Sequence, residues 1–406
     1  MRHQAVTRPR IDHSGLIAFA QELVRVRSVN DTSMGTTEAD ASFAVADKMR
    51  SFGWDPTVEE IEPGRFNVVA ILDGGQPGKT LMFEGHTDVV TEGDTDEWTF
   101  DPYGGDLVDG HLRGRGSADM KSGVAAMLFA TRAIVDAGPF PGRIVVGALC
   151  DEEGLMIGAK HFAASDLAAE VDGAFICEPE AGEVCITQKG ALRLLIEATG
   201  KMSHGAMPSQ GLNPIVALGR LQRDIAVYES RLQAEHGEHP HLGLPYVTPT
   251  VFHAGSVVQM NVIPSDALMT LDVRTLAGIN HDEVREQISA LAAAVTTDTG
   301  VRFSVETIDD RPPTSISEHH PVVEAVVAAH REVLGETPKF GGVPGTTDGT
   351  ILWRDAGIPV VVYGPGGKWI AHQADEFVEV EDMIRHADVY VAAALNFLGQ
   401  IATAEG

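Results

Sequence analysis

The sequence predicts an α/β protein: a largely parallel-sheet domain, built from both ends of the chain, with a smaller α+β domain inserted in it. Three observations predict this. Short β-branched runs alternate with longer helical patterns near both ends, as in a buried parallel sheet. The middle follows the order β-α-β-β-α-β of a ferredoxin-like unit. Arg311-Pro312-Pro313 then punctuates the return to the first pattern.

The elements follow in order. Residues 80–83 read as a buried strand. Residues 122–137 read as a helix, with Ser122 placed to cap it and Gly138-Pro139 to stop it. Residues 143–149 and 171–177 are two more strands. In the middle, 191–199 reads as a strand, 214–234 as a helix, 248–258 and 267–276 as strands, 281–296 as a helix and 301–308 as a strand. The stretch 233–249, rich in His, Pro and Gly, is expected to be a loop, and its His236, His239 and His241 to be loop residues. Residues 359–363 return a strand to the first sheet. The expected domains are therefore 1–189 and 315–406 for the larger unit and 190–314 for the insertion. There is no internal repeat and no low-complexity tract.

Composition limits the function. The chain has 406 residues, 44% hydrophobic and 22% charged, enough for a sizeable core. With 58 acidic against 30 basic residues its formal net charge is -28, which excludes the basic footprint of a nucleic-acid binder and disfavours an anionic membrane surface. Residues 1–15 are polar and lack the apolar core of a signal peptide. No apolar run approaches the ~20 residues that span a bilayer. The three cysteines, Cys150, Cys177 and Cys185, are too few for a disulfide framework and read as small buried hydrophobes. A cytoplasmic location is the simplest expectation.

The chemistry lies at the ends of the predicted strands. The first ends in Gly85-His86-Thr87-Asp88, the second in Asp151-Glu152-Glu153 and the third in Glu178-Pro179-Glu180. The last is followed by Gly364-Pro365-Gly366 and His372. Asp119 sits in a Gly-rich loop, 113–119, just before a helix. Open α/β sheets bind ligands at the carboxyl ends of their strands, so these sequence-distant residues can converge. Two His and three carboxylates can hold two divalent ions, zinc first, with Mn or Co tolerated. A bridging carboxylate would set the ions ~3.5–4 Å apart, as in two-metal hydrolases. The adjacent pair Glu152-Glu153 could then serve both roles the chemistry needs, since neighbouring side chains at a strand end point different ways. One would face metal and the other would take a proton from water. Each group has a plainer reading by itself. A lone His86 or His372 is more often core or surface, Asp-Glu-Glu a solvated turn, and Asp119 a helix cap.

The whole set resembles the cocatalytic zinc peptidase family of acetylornithine deacetylase, succinyl-diaminopimelate desuccinylase, aminoacylase-1 and carboxypeptidase G. The motifs are Gly85-His86-Thr87-Asp88-Val89-Val90, Gly114-Arg115-Gly116-Ser117-Ala118-Asp119-Met120-Lys121, Asp151-Glu152-Glu153-Gly154, Glu178-Pro179, Ser203-His204-Gly205, Asn261-Val262-Ile263-Pro264, Asp272-Val273-Arg274 and Ala371-His372. They run in order along nearly the whole chain. The resemblance implies that His86 and Glu178 bind one metal, Glu153 and His372 the other, and that Asp119 bridges them. It implies Glu152 as general acid/base and Asp88 as the residue that orients His86. The inserted domain would be a lid or dimerisation domain that makes a homodimer. His204 would reach the partner subunit's site to stabilise an oxyanion, and Asn261 and Arg274 would hold a substrate carboxylate. Thr346 is a further candidate for the substrate pocket. Two departures stand out. Thr91 replaces a common Pro, and Lys368 stands where the desuccinylase pattern tends to have Asn, putting a cation near the pocket.

The reading that follows is metal-dependent hydrolysis of an amide in an N-acyl amino acid or similar small carboxylate-bearing substrate. A dipeptidase or glutamate-type carboxypeptidase of the same family is the first alternative. A non-catalytic relative that binds amino-acid derivatives is another, and a single-metal enzyme acting on ureido or amidino nitrogen a third.

Overall fold

The computed structural model describes residues 9–31 and 35–399. Residues 1–8 of the polar N-terminal segment and 400–406 of the final domain lie outside the described residues. The chain forms two compact units: 1–186, 316–341 and 347–406 in the first, 187–315 with 342–346 in the second.

The centre of the first unit is a parallel sheet whose strands run in the order Phe140–Leu149, Gly75–His86, Gly173–Ile176 and Val360–Val362. Antiparallel strands flank it: Arg65–Asp73 and then Thr57–Glu62 on one side, Val184–Gln188 on the other. All four are buried along most of their length. Gly173–Ile176 and Val360–Val362 are apolar throughout, as burial on both faces requires. The exposed hairpin strand Thr57–Glu62 is instead rich in Glu.

Helix Ser122–Asp136 packs on helix Val380–Leu398, which packs on Pro321–Leu334. Phe83 lies edge-on to both Phe175 and Tyr390 in this core. Each fully buried aromatic or aliphatic side chain of this kind stabilises the fold by about 1.5–3 kcal/mol. The start of the Ser122–Asp136 helix approaches the sheet so closely that a Cβ on Gly123 would lie 2.0 Å from the Cys177 carbonyl oxygen. Only glycine fits there, and the contact sets Ser122 and its neighbours against the strand end that leads into Glu178. Ser122 is not the cap expected of it. It is the first residue inside the helix, preceded by an irregular turn over Ser117–Lys121 whose Asp119 and Met120 depart from helical angles.

The second unit has the ferredoxin-like order. Its antiparallel sheet runs Tyr246–Ala254, Asp266–Thr275, Gly190–Thr199, Arg302–Arg311, with helices Pro214–His236 and His281–Thr299. Asp266–Thr275 alternates strictly between buried and less buried positions, with Met269, Leu271 and Val273 in the core. Asn213 and Asn280 cap the two helices by accepting from the N–H two residues on. Several boundaries differ from expectation: the helix expected to end at 296 runs to Thr299, and the strand expected to end at 308 runs to Arg311. The strand expected to reach residue 258 stops at Ala254, because Gly255 takes φ +63 and Val257–Gln259 form a 3-10 turn. The 233–249 loop is shorter than expected: the helix runs on to His236, and the next strand starts at Tyr246.

Candidate metal centre

The four parallel strands end at one edge, and their carboxyl ends carry the acids and imidazoles. His86 is the last residue of its strand and is buried. Its Nδ1 lies 2.9 Å from the backbone oxygen of Asp88, which accepts that ring proton and turns Nε2 the other way. Nε2 is then 3.1 Å from Asp119 Oδ1 and 3.4 Å from Glu178 Oε1. The other oxygen of Asp119, Oδ2, is 3.2 Å from His372 Nε2, and that nitrogen is 2.9 Å from Glu153 Oε1. One carboxylate therefore offers a separate oxygen to each imidazole, and each imidazole has a further carboxylate beside it. Ligand atoms of His86, Glu152 and Glu178 lie within 4.8 Å of one another, as do those of His86, Asp119 and Glu153.

The electrostatics are those of a cluster with too much negative charge for its own protons. Burial and the charge of Asp119 push the Glu178 carboxyl up to about 8. Burial holds Glu152 well above the usual carboxylate range, with His86 opposing it and Glu153 and Glu178 adding to it. Glu153 is raised by burial and by Asp119. Asp119 alone goes down: burial opposes this, but hydrogen bonds from His372 and His86 outweigh it. The hydrogen bonds that His372 makes to Asp119 and Glu153 lift it in turn to about 11. Buried carboxylates of like sign repel, and divalent cations placed among them would relieve that repulsion. Two imidazoles and three carboxylates are also the donor chemistry of zinc, manganese or cobalt rather than of calcium. The residues present fit a pair of divalent ions.

The turn that carries Glu152 and Glu153 is fixed from two sides. The Asp88 carboxylate accepts from the backbone N–H of Glu152 and of Glu153, each at 3.1 Å. Asp151 takes φ +68, pairs with the buried Arg65 and accepts from the N–H groups of Leu155 and Ile157. Arg65 also reaches Glu38 at 3.2 Å. Asp88 thus does more than the sequence suggested. It meets His86 chiefly through its backbone oxygen, its carboxylate being 3.6 Å from the ring, and it spends that carboxylate on the neighbouring turn.

Lys368 does not project a bare cation. Its ammonium lies 2.7 Å from Glu180 and 2.8 Å from Glu183, both on the turn after Glu178. Sequence reasoning placed Glu180 and Asp151 at strand ends without a role and did not single out Glu183, Arg65 or Glu376. Arg65, Asp151 and Glu376 are buried charges whose partners lie far away in sequence.

In the second unit, Ser203–His204 pairs with Val262–Ile263, and the Gly205 N–H donates to the Asn261 carbonyl at 2.7 Å. His204 and Asn261 are thereby brought side by side. His204 is exposed, and its Nδ1 accepts from Ala206 N–H, which leaves Nε2 pointing away from that bond. Arg274 is held in a two-pronged pair by Asp272, at 2.6 and 3.1 Å. Thr346 accepts from Arg311 at 3.3 Å. His239 and His241 lie in the loop with ring centroids 5.8 Å apart, and His236 ends its helix.

Comparison with known proteins accords with this geometry. Residues 82–396, most of the chain, match peptidase family M20/M25/M40. The chain belongs to that family. As an M20 protein it is a hydrolase, and its relatives sharpen the picture. It is 32% identical to the succinyl-diaminopimelate desuccinylase of Methylorubrum extorquens, over 93% of this chain and 97% of that protein. Its fold is similar to the M20 metallo-carboxypeptidase Sso-CP2 of Sulfolobus solfataricus, with a TM-score of 0.77, 17% identity and coverage of 94% and 99% of the two chains. A dinuclear metal binding M20 peptidase of Bacillus subtilis is similar at TM-score 0.71 and 16% identity, covering 96% and 99%. Among the described residues no helix is long and apolar enough to cross a membrane.

Proposed function

We propose that this M20 hydrolase cleaves the amide of an N-acyl amino acid, with an N-succinyl diamino acid as the first candidate substrate, using two divalent metal ions that share Asp119. The observation that carries this reading is the Asp119 carboxylate, whose two oxygens face two different imidazoles. His86 and Glu178 would hold one ion, Glu153 and His372 the other; zinc is the first choice, with cobalt and manganese compatible with the same donors. When bound, such a pair polarises the scissile carbonyl and lowers the pKa of a water molecule toward ~7.

The chain's own residues do the rest. Glu152 takes the proton from the attacking water and returns it to the departing nitrogen. A carboxylate oxygen of Glu152 lies within 4.8 Å of the ligand atoms of His86 and Glu178, within reach of a water that would be held there. Asp88 holds the Glu152 backbone, so the base keeps its place as the proton moves. His204, exposed and with only Nδ1 engaged in the bond from Ala206, would donate through Nε2 to the developing oxyanion in the partner subunit's site. Asn261, beside it, would meet the substrate carboxylate. Arg274 could add a bidentate contact there only by exchanging its pair with Asp272, and Thr346 is kept as a pocket residue of the same unit.

The domains would act as a catalytic unit over 1–189 and 315–406 and a dimerising unit over 190–314. The edge strand Tyr246–Ala254 supports the latter: it leaves Tyr246, Val251 and Phe252 exposed on an unpaired sheet edge. The three buried cysteines, free of disulfides, and the net charge of -28 fit a reducing cytoplasm and partners other than nucleic acid or membrane. A hydrolysis screen on metal-loaded protein tests the substrate, with N-succinyl, N-acetyl and N-formyl amino acids beside dipeptides. The N-succinyl diamino acid should give the highest kcat/KM. A preference for dipeptides would move the chain to the peptidase side of the family, and binding without turnover of any of them would contradict the hydrolase.

A further inference from the structure

Beyond the imidazoles of His86 and His372, which meet its carboxylate, Asp119 is held through the backbone of its loop. The loop that delivers it, Arg115-Gly116-Ser117-Ala118-Asp119, is irregular, so its N–H groups cannot be satisfied within a helix. Three of them converge on one side chain. The Glu376 carboxylate accepts from Ala118 N–H at 2.9 Å and Asp119 N–H at 3.1 Å through Oε1, and from Gly116 N–H at 3.1 Å through Oε2. The Arg115 guanidinium closes the ring on Oε2 at 2.5 Å. Arg115 is itself buried and lies over the Trp98 ring at 5.2 Å. The backbone of Glu376 joins in: its carbonyl accepts from Gly114 N–H at 2.9 Å, and the next residues, Phe377–Glu379, pair with His111–Arg113. Glu376 is fully buried.

The place of Glu376 in the chain matters as much as its bonds. It lies four residues beyond His372, and the intervening Asp375 accepts from the Thr99 N–H at 2.7 Å. One side chain therefore joins the segment that bears His372 to the loop that bears Asp119. We infer that Glu376 is a positioning residue for the metal pair, fixing the shared ligand Asp119 at a set distance from His372. This inference rests on the two-ion reading. It predicts a particular failure. If Asp119 shifts, both ions lose a ligand together, whereas loss of a ligand to one ion leaves the other in place.

Glu376→Gln is the sharpest perturbation. It keeps the shape, but the amide offers one accepting oxygen and turns an NH2 toward two donors. Either the Ala118–Asp119 pair or the Arg115–Gly116 pair loses its acceptor. Positioning residues behind a metal site commonly change affinity about 10- to 100-fold when altered. The test is a cobalt titration of chelator-treated protein, followed by optical absorption and by the magnetic coupling between the two ions in the electron-spin spectrum. The native chain should bind two coupled ions; binding of only one would refute the two-ion reading itself and not the role of Glu376. With two ions in the native chain, Glu376→Gln should weaken both about 10-fold or more, in parallel, and change the coupling. Two ions bound with native affinity and native coupling would overturn the inference, as would loss of one ion only. If Glu376→Gln does not fold, Arg115→Met is the substitute. It removes one of the four donors and leaves the amide bonds, so a smaller parallel loss is expected, and an unchanged titration and coupling would again overturn the proposal.

Discussion

Replacing Asp88 separates two ways in which a buried carboxylate can serve a metal site. The Asp88 oxygens accept from the N–H groups of Glu152 and Glu153, while His86 is held by the residue's backbone carbonyl. Asp88→Asn keeps the side-chain shape but turns an NH2 toward one of those two donors. A buried donor left without an acceptor costs about 1–3 kcal/mol, so the metal-free chain should lose about that much stability. Asp88→Ala removes both acceptors and should cost about 2–6 kcal/mol on the same figure. Neither change touches the carbonyl that aims His86. The damage should therefore fall on Glu152 and Glu153: kcat drops, and the ion held by Glu153 and His372 weakens while the ion on His86 and Glu178 stays. Urea unfolding of chelator-treated protein gives the stability, and cobalt titration gives the ions. The cobalt absorption that survives in Asp88→Asn should match that of His372→Ala. Unchanged stability together with selective loss of the His86 ion would refute the reasoning, because the carboxylate would then be acting through the imidazole.

Three further outcomes are expected. Glu152→Gln should lower kcat by about 10²–10⁴-fold, the usual contribution of a general acid/base, with two ions still bound; near-native turnover would remove Glu152 from the proton path. Mixing inactive His204→Ala and inactive Glu152→Gln chains should regenerate activity in heterodimers if His204 acts across the dimer, and no recovery in proven heterodimers would count against it. In the second unit, Asp310 has its pKa lowered from 3.8 to about 2 by the hydrogen bond from His281, with burial opposing and Arg285 assisting. A depressed carboxyl stabilises the fold above its unfolded pKa and loses that contribution as pH falls toward its folded one, here between about pH 4 and pH 2, a loss of about 1 kcal/mol after solvent screening of this half-buried group. The stability difference between the native chain and Asp310→Asn should shrink over that window and stay flat from pH 5 to 7; a constant difference throughout would show that the carboxylate's charge is not what stabilises it.

Much of this was legible in the sequence because strand ends are legible. His86, Glu152, Glu153 and Glu178 follow apolar runs directly, so locating the strands located the acids. The ferredoxin-like order was readable for the same reason, since period-two burial in Asp266–Thr275 shows as alternation of residue types. The supports were not legible. Glu376, Arg65 and Lys368 act through partners 27 to 261 residues away in the chain, and no local period marks such a pair. Ser122 looked like a cap because it precedes an apolar periodic stretch. The irregular turn before it, which carries Asp119, has no signature beyond its glycines. The strand end at Ala254 was missed because Val257 and Val258 have strand propensity, while Gly255 adopts a left-handed φ that breaks the ladder.

The central claim is that two ions share Asp119, and counting ions in three chains tests it most directly. The native chain should hold two divalent ions at full activity, His372→Ala one, and Asp119→Ala neither at concentrations that saturate the native site. Full activity at one ion per native chain, or two ions retained by Asp119→Ala, would contradict it.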